Sequence, residues 1–179
     1  MADCLLTGGI SIDCSDLKSV GGISKTFYAT SLANLSSYTE SNGYITRIVL
    51  DAYTYLYKFT GQKRGNSKTT NLVVQAGANK FFEQVFTGKL YATTPDHDDV
   101  IENLLVVDVV IFSKDNNGKW FAYGLENGME VTAYTQTSGT EAATDTTDTL
   151  TFTGQEPRKP RRLLLDGGTE QALEYLTAN

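Results

Sequence analysis

The single histidine, His97, stands between Asp96 and the pair Asp98-Asp99, a grouping that suits metal coordination or acid–base chemistry. Thr94 and Pro95 come directly before it. A threonine cap, proline at the first helical position and acids in the first turn describe the start of a helix, whose dipole accounts for the acids. No second histidine completes a zinc site or a histidine-dependent triad in cis. Asp115-Asn116-Asn117-Gly118 begins like a calcium loop, but the residues after it are strand-like, and the tetrapeptide reads as a hairpin turn. Gly21-Gly22-Ile23-Ser24-Lys25-Thr26 lacks the glycine that precedes the lysine of a phosphate-binding loop. The carboxylate pairs Asp145/Asp148 and Glu126/Glu130 lie in loop or sheet, where nothing sets the separation that glycoside chemistry needs. The expectation is a protein that is not an enzyme, with no cofactor and no metal ligands.

The elements that carry these residues are mostly strands. At 179 residues the chain fits one domain over 1–179, large enough to bury a substantial core. Residues 4–14 place Cys4, Leu6, Ile10, Ile12 and Cys14 on alternate positions around the bend Gly8-Gly9, a strand with one apolar face. Both cysteines read as buried apolar side chains rather than a disulfide. A turn ending at Gly21-Gly22 leads to a strand over 23–30, and 32–43 reads as loop. Residues 44–60 read as one long strand, with Ile48, Leu50, Ala52 and Leu56 on one face and Val49, Tyr53, Tyr55, Tyr57 and Phe59 on the other. Such a two-sided strand needs a core on one side and a partner subunit or covering loop on the other.

Residues 61–68 then form a basic tip and 69–76 the return strand of an extended hairpin. The alternation over 80–92 turns Phe82, Phe86 and Leu90 inward, and a short helix over 95–103, capped by Thr94, comes next. Residues 104–113 read as a buried strand interrupted by Asp108, which needs a basic partner or an interface. Residues 119–140 read as strand, turn, strand and polar loop within one antiparallel layer. Residues 138–149 are an exposed loop, and a strand begins at Thr149. The basic stretch 157–162, with Arg158, Lys159, Arg161 and Arg162, opens a C-terminal arm over 157–179 that ends in a possible helix. The fold class is therefore mainly β: an antiparallel β-sandwich or barrel with one short flanking helix, an extended N-terminal segment 1–22 and that arm.

A net charge of −6 and a pI of about 4.7 disfavour a protein that grips nucleic acid through clustered cations. They suit a surface past which a polyanion slides. No secretory signal is expected at the N-terminus, and the longest apolar run is far short of a membrane span.

The opening Leu6-Thr-Gly-Gly-Ile-Ser-Ile-Asp-Cys14 with Gly21-Gly22-Ile23, the segment 94–113, and the stretch from Gly124-Leu-Glu-Asn-Gly128 through Ser138-Gly-Thr140 to Thr151-Phe-Thr-Gly154 resemble the tail tube proteins of tailed bacteriophages. The opening is similar to virion proteins of phages and prophages of Bacteroidetes. The resemblance implies a β-sandwich flanked by a helix, six copies joining their sheets side by side into a ring, and rings stacked through loops and terminal segments. It implies a virion protein assembled in the host cytoplasm. Its partners are itself, other tail proteins and DNA passing without sequence-specific binding, with no membrane. Tyr53, Tyr55, Tyr57 and Phe59 become interface candidates, with strands around 44–60 and 69–92 lining the bore. Arg158, Lys159, Arg161 and Arg162 are expected to meet acidic surfaces of adjacent rings, including Glu141, Asp145 and Asp148. Two other readings remain: another phage ring protein (head–tail joining, terminator or baseplate), or a monomeric carbohydrate-binding or adhesin module using Tyr53, Tyr55, Tyr57, Trp120 and Tyr123 as a platform.

Overall fold

The computed structural model describes residues 21–61, 65–76, 79–91, 95–138 and 147–177. The expectations for 4–14, the tip 62–64, the cap Thr94, and Glu141 and Asp145 fall outside them. Among the described residues eleven strands form two sheets. They are β1 (Ile23–Ser31), β2 (Leu35–Ser41), β3 (Tyr44–Leu50), β4 (Tyr57–Thr60), β5 (Ser67–Val74), β6 (Lys80–Leu90), β7 (Val109–Asp115), β8 (Trp120–Tyr123), β9 (Glu130–Thr137), β10 (Thr147–Glu156) and β11 (Arg161–Leu163). Helix α1 (Pro95–Leu104) lies between β6 and β7, and α2 (Thr169–Tyr175) comes after β11. The larger sheet runs β2-β3-β11-β8-β7-β1-β4 and the smaller β5-β6-β10-β9. The fold is the expected mainly β class with short helices.

Alternation along β1 and β7 explains why the larger sheet is buried on both faces. Phe27, Ala29, Val109 and Ile111 meet Phe86, Leu150 and Phe152 of the smaller sheet, with Ile101 and Leu104 of α1 closing one end. Tyr28, Val110 and Phe112 point the other way, into a second core with Ile45, Leu56, Trp120, Leu163, Leu165 and Leu173 of α2. The second face of the larger sheet is thus covered by the chain's own C-terminal segment.

Several expectations are corrected. Residues 35–41 form an edge strand rather than loop, because the turn at Asn42-Gly43, both with positive φ, folds them onto β3. The expected long strand 44–60 is two: β3 and β4 lie far apart in the larger sheet, separated by a turn with Tyr53 at φ 64°. β4 and β5 are not a hairpin, since β4 pairs with β1 and β5 with β6 in the other sheet. β8 and β9 likewise lie in different sheets, joined by a crossover through Gly124 and Gly128. β7 starts at Val109, leaving Asp108 exposed in the turn after α1, where its carbonyl accepts the Leu32 N–H. β10 starts at Thr147, and Thr147 and Asp148 are buried rather than in an exposed loop.

The expected arm is no arm. β11 lies inside the larger sheet, parallel to β3 and antiparallel to β8, and Leu163, Leu165 and Leu173 belong to the second core. Pro157 and Pro160, the second directly before Arg161, mask a three-residue strand too short to show periodicity.

Candidate assembly interface

The two sheets treat their edges differently. β2 is interrupted by two register shifts, and its Glu40 bridges Arg158, at 3.6 Å, and Arg161. β4 is four residues long. Leu56, just before it, donates its N–H to Leu176 O at 2.9 Å, and Gly61, just after it, bridges to Leu90. Lys58 on β4 is held by Glu174 at 2.8 Å. Bulges, charges and short length are the devices by which sheets discourage further pairing.

Among the described residues the smaller sheet lacks most of these, apart from one register shift where β9 pairs with β10. β5 and β9 are eight residues each, largely exposed, and free of proline. They are rich in the threonine, valine and tyrosine that favour strands. Their only charges are Lys68 and Glu130. Lys68 is turned inward, its ammonium 3.4 Å from the centre of the Phe121 ring, and burial pushes its pKa down. Gln75 donates its N–H to Asn79 O at 3.0 Å, and β5 pairs with β6 without a register shift. Antiparallel alternation therefore aims the N–H and C=O groups of Ser67, Thr69, Asn71 and Val73 at β6, and those of Lys68, Thr70, Leu72 and Val74 at the free edge. Leu72 and Val74 are exposed there.

The outer face of this sheet is made largely of hydroxyls. Registers set Thr87 between Ser67 and Thr151, and Thr149 between Lys89 and Thr135. The Thr132 and Thr153 hydroxyls meet at 2.9 Å. Among the described strand residues facing outward from the two central strands, only Glu83 and Lys89 are charged.

A buried polar set fixes β9 and the crossover that delivers it. Glu156 accepts the N–H groups of Asn127 at 2.9 Å and Glu126 at 3.2 Å. Burial raises its pKa, and these backbone donors pull the other way. Gln84 accepts the Gly124 N–H at 3.2 Å and donates to Arg158 O at 2.9 Å. Gly154 has to be glycine, since a Cβ there would come within 2.5 Å of Gly128 O. On β9, the Tyr134 hydroxyl donates to Asp148 Oδ1 at 2.7 Å. That bond, ahead of burial, pushes the Tyr134 pKa up to about 12.

The expected site residues are dispersed. Tyr53 is 94% exposed in its turn, and Tyr55 and Tyr57 are about half exposed, while Phe59 turns in and stacks on Phe27 at 5.2 Å. Arg158 and Arg161 are engaged by Glu40 of their own chain. Arg162 pairs through its backbone with Tyr44 and Phe121, and Lys159 lines a small recess beside Glu156. Asp148 is fully buried. Trp120 and Tyr123 are buried in the two cores, so they cannot form an exposed platform with the other tyrosines. The signal overlooked was the β9 sequence itself, Glu-Val-Thr-Ala-Tyr-Thr-Gln-Thr, eight strand-forming residues with a single charge. Around His97, Asp96 and Asp98 fall in the first turn of α1, and among the described residues no cluster of three or more metal-ligating side chains occurs. Asp115 Oδ1 accepts the N–H groups of Asn117 and Lys119, closing a turn.

Comparison of the chain with protein-family models, curated proteins and solved structures finds no match.

Proposed function

We propose that this chain is a structural subunit whose copies join side by side through β5 and β9 into closed rings, and that the rings stack as a bacteriophage tail tube. One observation carries the reading: a single sheet offers two long, exposed, nearly uncharged edges. Its four strands are antiparallel throughout, so β5 and β9 run in opposite directions. Copies in one orientation can therefore pair β9 of one with β5 of the next, antiparallel, around a ring. Closure removes the free edges that otherwise invite uncontrolled pairing.

The larger sheet covers the inner face of the smaller one, and the bulkier layer fits only on the outside of such a ring. The threonine-rich face then looks toward the axis, in place of the 44–60 strands expected there. A hydroxyl surface with few fixed cations suits passage of DNA without binding. Six copies per ring, the other tail proteins as partners and a place in the virion follow from the family resemblance. Among the described residues no helix is long and apolar enough to cross a membrane.

The test is assembly of the purified chain, monitored by light scattering on a sizing column and by negative-stain microscopy. Rings extending into hollow tubes are expected. Single rings that never extend identify an adaptor or terminator instead, and a monomer that persists across concentration and salt overturns the reading.

A further inference from the structure

On the described strands of the smaller sheet, the exposed large apolar side chains are Leu72 and Val74 of β5, 55% and 58% exposed, and Tyr134 of β9, 41% exposed. All three lie on one face. Leu72 is opposite Phe82, itself opposite the buried Glu156, and Tyr134 is opposite Leu150 of the first core, so they point to the side on which the larger sheet lies. Yet they belong to opposite edges, three strand spacings or about 14 Å apart, and cannot cover one another within a chain. The main-chain groups of the two edges are also in phase. The bond from Gln75 to Asn79 turns the odd-numbered groups of β6 toward β5, and the Lys89 N–H accordingly meets Asn66 Oδ1 at 3.1 Å. The even-numbered groups of β6 then bond β10, whose odd-numbered groups bond β9, and Thr151 O accordingly accepts the Thr132 hydroxyl at 3.3 Å. By this alternation the N–H and C=O of Tyr134 and Gln136 face outward at one edge, as those of Thr70, Leu72 and Val74 do at the other. At both edges the residues with outward main-chain groups carry their side chains on the same face.

We propose that Tyr134 of one copy pairs directly with Leu72 of the next, and Gln136 with Thr70, each pair exchanging main-chain bonds, while Tyr134, Leu72 and Val74 close into an apolar seam beneath the junction. The proposal rests on side-by-side joining through β5 and β9 and fixes its register. Faces and phase must both match, so the open registers differ by steps of two residues. One step one way sets Tyr134 against Thr70 and leaves Leu72 and Val74 beside the irregularity of β9 at Thr132. One step the other way sets Tyr134 against Val74 but Gln136 against Leu72. Pairing Tyr134 with Leu72 alone matches apolar with apolar and polar with polar across the junction. The geometry of closure points the same way. Within the chain Tyr134 lies level with Asn66, through Leu150 and Gly88. Pairing with residue 72 of the next copy therefore shifts each copy by six residues along the strands. A rise of about 20 Å over four strand spacings of about 19 Å in all tilts the strands by about 45° to the ring axis, at the upper end of what closed barrels adopt. The register with Val74 would need about 55°.

The test uses the full-length chain in a Cys4→Ser/Cys14→Ser background, which removes its native thiols. Thr135→Cys is combined in turn with Thr69→Cys, Asn71→Cys and Val73→Cys. These positions alternate with the bonded pairs on the outer face, where directly opposite residues come closest, so each combination reports one register. The two edges of one chain are too far apart for a bridge, and every disulfide from position 135 to β5 therefore joins two copies. After mild oxidation of the assembled protein, non-reducing electrophoresis and peptide mapping should show the 135/71 combination giving a ladder of multimers several-fold stronger than the other two. A stronger ladder from 69 or 73 overturns the register and leaves side-by-side joining intact. Assembled particles without any ladder overturn both, as does a parent chain that stays monomeric. A second readout needs no new thiol. Leu72→Gln alters an exposed side chain, so the urea midpoint of the monomer should hold, whereas the protein concentration at half assembly should rise several-fold. Leu164→Gln, at a similarly exposed leucine directly after β11, should change neither. Equal half-assembly concentrations for the parent and Leu72→Gln contradict the seam.

Discussion

Asp148 is the residue whose setting is least forgiving. It is fully buried, its Oδ1 held by the Tyr134 hydroxyl and its Oδ2 without a partner among the described residues. Tyr134→Phe removes that donor and leaves a buried carboxylate unsatisfied, so it should cost about 1–3 kcal/mol, read as a lower urea midpoint with an unchanged slope. Glu156 makes a pH-dependent counterpart. Burial raises its pKa, so the folded chain holds this proton more tightly than the unfolded one. Its contribution is fully present below the ordinary glutamate pKa and is lost as pH rises through the raised value. Glu156→Gln should abolish that component. Because every other carboxylate is common to both proteins, the difference between their stabilities isolates it, and urea midpoints measured from about pH 4 to about pH 7 should show the variant gaining on the parent as pH rises. The same bonds to Asn127 and Glu126 anchor the crossover into β9, so a buried side chain on the neighbouring strand sets where that edge lies.

At the scale of the elements, β5 separates internal pairing from external pairing. The Thr70 N–H faces the free edge and the Asn71 N–H faces β6. Thr70→Pro should leave the fold and its thermal midpoint nearly intact while preventing ring formation, since proline is tolerated on an edge only where its missing donor faces solvent. Asn71→Pro removes a ladder bond and should destabilise the monomer by about 1–3 kcal/mol. Equal assembly by parent and Thr70→Pro, seen by light scattering, would remove β5 from the interface. The individual strands β1, β6 and β8 and both helices could be read from sequence because alternation, capping and turn residues are local signals. Sheet membership could not: Gly124 and Gly128 read as a hairpin turn, yet they carry the chain from one sheet to the other. Nor could the split between β3 and β4, because the tyrosines at 53, 55 and 57 have the propensity of a continuous strand, whereas the chain turns there with the Thr54 N–H on Asp51 O and a positive φ at Tyr53. Of the candidate interface, the tyrosines stand out in sequence by their size, whereas the edges of β5 and β9 stand out only once their neighbours are known.

For the whole molecule, pairing through main-chain groups predicts assembly that depends little on salt, unlike contacts between charged surfaces, which weaken as screening grows. Sedimentation of the assembled particles at low and physiological ionic strength should give similar assembled fractions. Charge reversal at Arg158 and Arg161 should act instead on the monomer, by breaking their bridges to Glu40. The placing of β11 between β3 and β8 also imposes an order in time. As the polypeptide is synthesised, β3 is made with its hairpin partner β2 but must wait for a neighbour more than a hundred positions downstream. At ribosomal speeds that interval is on the order of ten seconds. Until then the nascent chain presents the open flanks of β3 and β8, a window in which a chaperone has something to hold and a premature neighbour has something to seize.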